Sequence, residues 1–160
     1  MNIFVLSLCP FLCAKQHNDK HCVKMILEYA QMLCTAHHLC NNNPDENIYK
    51  IAHKNHPCTI WVRQTVGNYC WLYILFRALC KEYTYRYNKI HKCETKLMEI
   101  LNDIPELIPI GNMTTFQQAM PDDVKHKNSI IAYRQYYINY KSSFCIWKKR
   151  EKPYWYNLTT

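Results

Sequence analysis

The sequence predicts a mainly α protein: a compact single-domain helical globule with long ordered loops and a short extended N-terminus. Three observations predict it. Apolar residues recur at helical spacing over 20–38, 61–87 and 129–143. The 160 residues include only 2 Gly against 7 Pro, too little glycine for the tight turns of an all-β fold. Hydrophobic residues make up 49% of the chain, which suits one folded core and leaves no long disordered tract. The sequence shows neither repeats nor a composition break, so residues 1–160 read as one helical domain with a basic aromatic tail, 147–160, packed on it.

Residues 2–8, NIFVLSL, form a short apolar run that should lie extended beneath the helices. With its flanks it has the outline of a secretory leader. No Lys or Arg precedes it, and Pro10 interrupts it, so export is not expected. No apolar run is long enough to span a bilayer. The first long helix, DKHCVKMILEYAQMLCTAHH over 19–38, can be capped by Asn18 or Asp19. It should fray near Asn41, where NNNPDE is turn chemistry. A loop over roughly 49–57 carries YKIAHKNHP. Trp61 to Tyr87 reads as one long helix that Gly67 can bend, and Cys93 to Asn102 as the next. Pro105, Pro109 and Gly111 then mark a long ordered loop. Thr115-Phe-Gln-Gln118 looks like a capping box for a short helix, and Ser129 can cap a last helix.

The first long helix is the most informative element. It is apolar on most sides, but a narrow polar line runs along one face: His21, Lys24, Glu28, Gln31, Thr35 and His38, three or four residues apart. Burying such groups is costly unless they pair or line a wet cleft. The line is therefore either a catalytic or binding groove or a satisfied polar network between helices. In the first reading Glu28 is the acid/base group, Lys24 its neighbour, and His21, when protonated, a ligand for phosphate. His53-Lys-Asn-His56-Pro-Cys58 is a second polar cluster. It lacks a second half with zinc-ligand spacing, so it reads either as a substrate-contacting loop, together with Gln31, Trp61 and Arg63, or as ordinary loop polarity, and neither metal nor cofactor is expected. There is no GxGxxG or Walker loop, no GxSxG serine and no evident cysteine nucleophile motif.

The formal charge is +8, from 20 Lys and Arg against 12 Asp and Glu, and 13 Tyr and 4 Trp accompany it. Cations attract phosphates and aromatic faces stack on bases, which favours a nucleic-acid partner, duplex DNA above all. Arg77 and Lys81 share a helix face with Thr84 and read either as a phosphate track or as a solvated face. Lys148, Lys149 and Arg150, between Trp147 and Trp155, are the stronger nucleic-acid signal. The 10 Cys are scattered, several inside helical apolar patterns, and read as reduced buried thiols. They predict an intracellular protein, in host cytoplasm, nucleoid, nucleus or virion, and not a secreted one; a monomer is favoured. In that setting the glycosylation triplets at Asn112 and Asn157 are chance matches.

The motifs DKHCVKMILEYAQML, HKNHPCTIW, EYTYRYNKIH, FQQAMP and AYRQYY resemble a family of small proteins from phages and large DNA viruses, a resemblance that specifies no activity. More remotely, the chain resembles the phage pyrimidine-dimer DNA glycosylases. In that family an early helix carries Asp-x-His and then a Glu seven residues after the His; here Asp19-Lys-His21 is followed by Glu28. His56 to Tyr87 and Pro153-Tyr-Trp155-Tyr156 resemble its later helices and its C-terminal element. The resemblance implies a small all-α enzyme with Glu28 as catalytic carboxylate and His21 beside the lesion-bearing strand. It also implies an N-terminal α-amine that attacks C1′ of the sugar, expels the base and forms an imine. The family exposes a Thr amine after Met removal, whereas this chain begins Met1-Asn2, and Leu27 stands where the family has Arg before its Glu. The amine of Met1, or Lys24 in its stead, would then be the nucleophile.

The reading is a viral-type DNA-processing enzyme, a base N-glycosylase with abasic-site lyase activity. Its rivals are a non-catalytic nucleic-acid-binding protein and an enzyme acting on a small nucleotide or modified base.

Overall fold

The computed structural model describes residues 1–157. Residues 158–160, which end the predicted tail and include two members of the Asn157 triplet, lie outside the described residues. Six α-helices and no strand are found among them: α1 (Pro10–Gln16), α2 (Asp19–Cys40), α3 (Pro57–Val62), α4 (Val66–Tyr87), α5 (Lys92–Leu97) and α6 (Ser129–Lys141), with four short 3-10 turns between and after them. One buried apolar cluster runs through the N-terminal segment, the helices and the tail. The mainly α single-domain class is thus the observed one. No helix among the described residues is long and apolar enough to cross a membrane.

The N-terminal run is extended and buried from Asn2 to Ser7. Its main chain is held by side chains: Phe4 N–H donates to Tyr29 Oη at 3.3 Å, and the Arg134 guanidinium donates twice to the Leu6 carbonyl. Helix α1 is absent from the sequence reading. Pro10 was read as an interruption, but it stands at the helix start, where its missing N–H costs nothing. Seven residues are too few to show a period. Helix α2 is as predicted, with Asn18 Oδ1 accepting from His21 N–H at 2.9 Å as the N-cap.

The predicted 61–87 helix is two helices. Helix α3 ends at Val62 and α4 begins at Val66, capped by Thr65. The loop at 109–114 fills the break. Val66 N–H donates to the Pro109 carbonyl and Gly67 N–H to Gly111, while Asn68 Nδ2 reaches Trp61 O and Thr114 Oγ1. Gly67 is therefore not a hinge; a Cβ there would lie 2.4 Å from Met113 N, so glycine permits the loop's close approach. Helix α5 stops at Leu97, short of the predicted Asn102, and Ile100–Asn102 is a 3-10 turn. Residues 115–118 form no helix. Gln118 bonds both main-chain groups of His126, and Phe116 is buried against Trp61 and Trp71; these tertiary contacts outweigh the local cap pattern. The cap of α6 is Asn128, one residue before Ser129.

Candidate active site

Helix geometry sets Lys24 and Glu28 one turn apart, with Lys24 Nζ 3.4 Å from Glu28 Oε1. The extended N-terminus arrives on the other side of the same carboxylate. The α-amine of Met1 lies 3.5 Å from Glu28 Oε2, and Asn2 N–H donates to that oxygen at 3.2 Å. The Glu28 side chain is 14% exposed. The Met1 side chain is 2% exposed while the residue as a whole is partly exposed, so what Met1 shows to solvent is mostly main chain.

Asn2 fixes this arrangement. Its Nδ2 donates to the Ala119 carbonyl at 2.8 Å. Its Oδ1 accepts from Ile3 N–H at 2.8 Å, lies 2.8 Å from the Tyr133 hydroxyl and 3.6 Å from Cys58 Sγ. Burial pushes the Cys58 thiol up to about 11, so it stays protonated and donates. Helices α2, α3 and α6 and the 117–119 loop therefore meet at one amino terminus. Asn2 and Tyr133 were missed from the sequence, where Cys58 entered only as the end of the second polar cluster; the one available signal was a polar Asn inside an otherwise apolar run.

The His53–Cys58 loop borders the same carboxylate. His56 caps α3, its Nδ1 accepting from Cys58 N–H at 3.2 Å, which assigns the ring proton to Nε2. Burial lowers the His56 pKa, and the positive α-amine and His53 lower it further against the opposing charge of Glu28. His56 is thus a neutral donor beside the amine. His53, exposed and left-handed at φ 48°, accepts His56 N–H in a tight turn. Arg63 donates to the carbonyls of Thr59 and Lys54 and staples the loop. Gln31 is half-buried three residues beyond Glu28.

Other predicted site residues stand elsewhere. His21 is 6% exposed, stacks on Phe4 at 4.1 Å and bonds the Tyr137 hydroxyl through Nδ1 at 2.6 Å. Burial, helped by His17 and nearby lysines, lowers its pKa to about 2, so it is not the protonated phosphate ligand expected. Trp61 is 1% exposed and belongs to the core. The far half of the polar line is structural: Thr35 Oγ1 accepts from Ala52 N–H, and His38 Nε2 donates to the Tyr49 carbonyl, pinning the 49–52 segment. His21, Thr35 and His38 thus belong to the satisfied-network reading of the line, and Lys24, Glu28 and Gln31 are the members less buried than His21 and Thr35.

The tail divides in the same way. Trp155 is 4% exposed beneath Arg134 and against Tyr137, so it offers no stacking face. Arg150 makes a double bond-pair with Glu82 at 2.9 Å, and Lys149 donates to Tyr85 O and Asn88 Oδ1. Lys148 is exposed and lies over the Tyr87 ring, and Arg77 and Lys81 on α4 are exposed too, Arg77 over the Tyr73 ring.

A family model described as pyrimidine dimer DNA glycosylase matches residues 1–95. No curated protein and no solved structure matches the chain. The matched stretch holds Met1, Lys24, Glu28 and His56, whereas Ala119 and Tyr133, which anchor Asn2, come from the remainder. Because the match spans more than half of the 160 residues and covers α1 through α4 entirely, the chain belongs to the pyrimidine dimer DNA glycosylase family.

Proposed function

We propose that this protein excises bases from duplex DNA as an N-glycosylase with abasic-site lyase activity, using the N-terminal α-amine as nucleophile and Glu28 as acid/base group. The observation that carries the reading is the α-amine 3.5 Å from Glu28 Oε2, next to a buried Asn2 whose Nδ2 and Oδ1 are both hydrogen-bonded. An α-amine is ordinarily a weaker base than a lysine ε-amine, so more of it is neutral near pH 7. The neutral amine attacks C1′ of the target nucleotide. The C1′–N bond to the base breaks, and its electron pair leaves with the base, which takes up a proton. The sugar ring then opens as C1′–O4′ breaks, O4′ gains a proton and an imine remains. Glu28 is placed to receive the proton the amine gives up and return it to O4′. Loss of a C2′ proton from the imine expels the 3′ phosphate and cuts the strand. Lys24, on the other carboxylate oxygen and 65% exposed, is the alternative amine. His56 Nε2 is a donor for the sugar or the departing base. A duplex substrate must extrude its target base to reach this site, and DNA as substrate implies an intracellular place of work.

The test is incubation with duplexes carrying a pyrimidine dimer, an abasic site or a modified base. The reading requires base release and strand cleavage by the wild-type chain and their loss in Glu28→Gln. Salt-sensitive duplex binding with no turnover on any of these would favour the non-catalytic binding protein. Turnover of free nucleotides alone would favour the small-substrate enzyme.

A further inference from the structure

Beyond the Glu28 centre, one corner of the fold turns apolar side chains to solvent. Leu8, Phe11 and Leu12, at and just before α1, are all exposed, Phe11 by 57%. The ring of Phe11 has open space along two sides. A hollow of about 270 Å³ lies between it and Ile74, Arg77 and Lys81 of α4. A second, of about 200 Å³, lies between it and Lys15, Lys81 and Tyr85. Arg77, Lys81 and Lys15 are exposed cations. The acid in this neighbourhood, Glu82, is 4% exposed and occupied by Arg86 and Arg150. The corner therefore presents a bare aromatic ring framed by uncompensated positive charge.

We propose that the Phe11 corner binds an unpaired stretch of DNA, with bases stacking on the Phe11 ring and backbone phosphates on Arg77, Lys81 and Lys15. A large apolar ring left in water is unfavourable and marks a contact site when it forms part of a patch. An aromatic platform inside a cationic groove is the chemistry by which single strands are held without sequence preference. A paired duplex hides its base faces and cannot use Phe11. A second copy of the chain, meeting this patch across a two-fold axis, would set the same cations against each other. The corner is separate from the amine. Leu8, whose carbonyl accepts from Trp71 Nε1 at 2.8 Å, lies seven residues from Met1 along a segment that bends at Leu6, and neither hollow is lined by Met1, Lys24, Glu28 or His56. The inference rests on the reading that this chain handles DNA, and it is independent of the chemistry at Glu28.

The test is fluorescence anisotropy of the full chain with a fluorescein-labelled oligothymidine of about twelve nucleotides at low salt. Phe11→Ala should weaken binding about tenfold, and Phe11→Trp should retain it. Charge reversal of Arg77 and Lys81 together should weaken it further and flatten its salt dependence. Circular dichroism checks that each variant is folded. Phe11→Ala binding within twofold of wild type would overturn the proposal. So would a wild-type dimer in sedimentation that Phe11→Ala dissolves, since the corner would then be a self-contact. Glu28→Gln should bind the oligothymidine as wild type does. Oligothymidine binding that depends on Phe11, in a chain that cleaves no duplex, would refute the glycosylase reading and leave this one standing.

Discussion

Glu28 on α2 and Glu82 on α4 each face two cations, and the two clusters are built differently. Around Glu82 the distances are 2.8–2.9 Å, the partners are the forked guanidiniums of Arg86 and Arg150, and Arg86 is buried with further bonds to Asp19 and to the carbonyls of His17 and Lys15. Burial opposes the charge on Glu82, but the guanidinium bonds outweigh it and hold the carboxyl below its ordinary range. Around Glu28 the charged partners are two amines at 3.4–3.5 Å, one of them 65% exposed, and the Asn2 N–H adds a bond at 3.2 Å. The fork geometry of arginine saturates a carboxylate, whereas amines can lose a proton and carry a lone pair. The first cluster locks the tail and α1 onto α4. The second leaves a carboxylate and the chain's α-amine within reach of each other.

That contrast can be broken most sharply by exchanging each acid for its amide. Glu28→Gln should lower turnover by about 10²–10⁴-fold while leaving thermal stability close to wild type, because the amide keeps the shape but cannot exchange a proton. Glu82→Gln should do the reverse. Removing one of the two carboxylates that face buried Arg86, with Asp19 left as the other, should cost about 1.5–3 kcal/mol of stability, read by denaturant unfolding, with activity per folded molecule little changed. If Glu28→Gln unfolds and Glu82→Gln does not, the assignment of the two clusters is wrong.

Asn2→Ala should lower turnover by about 10²-fold through misplacement of the amine, at a smaller cost in stability, since it releases the Ala119 and Tyr133 anchors without touching Glu28. The acid limb of stability should follow the buried core. Burial lowers His17 to about 4 and His21 to about 2, so both are neutral in the folded chain. The unfolded chain takes up those protons once the pH falls below about 6.5, so stability should fall from there toward pH 4. Glu82, with a depressed folded value, adds stability above its ordinary range and loses it as the pH falls further. His17→Gln, neutral throughout, should flatten the slope of melting temperature between about pH 6.5 and 4. The smallest effects belong to the tail. Lys148→Ala should weaken duplex binding a few-fold at low salt, whereas Arg150→Ala should reduce stability, because its charge is already engaged by Glu82.

Much of this was legible in the chain. The period of α2 fixed its polar line, and the line led to Glu28 and Lys24. The buried far half of that line was not separable from the near half, because the loops that Thr35 and His38 pin are set by tertiary contacts. Nothing local announced α1, since a proline that stops an extended run also starts a helix. The split between α3 and α4 depends on a loop more than 40 residues away reaching Gly67 and Asn68. Trp61, Trp155 and His21 were read as ligand contacts because aromatic and polar side chains signal contact surfaces, yet each fills core space. The tail's cations carry the same lesson: Arg150 and Lys148 look alike in sequence and differ only in what lies opposite them.

The central claim is that an amine at the chain's start acts with Glu28. Borohydride reduction of a reaction with abasic duplex DNA tests it most directly, because it freezes an imine as a stable protein–DNA adduct. The account predicts an adduct that peptide mapping places on the N-terminal α-amine, with Lys24 as the alternative, and a sharp loss of that adduct in Glu28→Gln. An adduct on a lysine remote from Glu28, or no adduct on abasic, dimer-containing and modified-base duplexes alike, would contradict it.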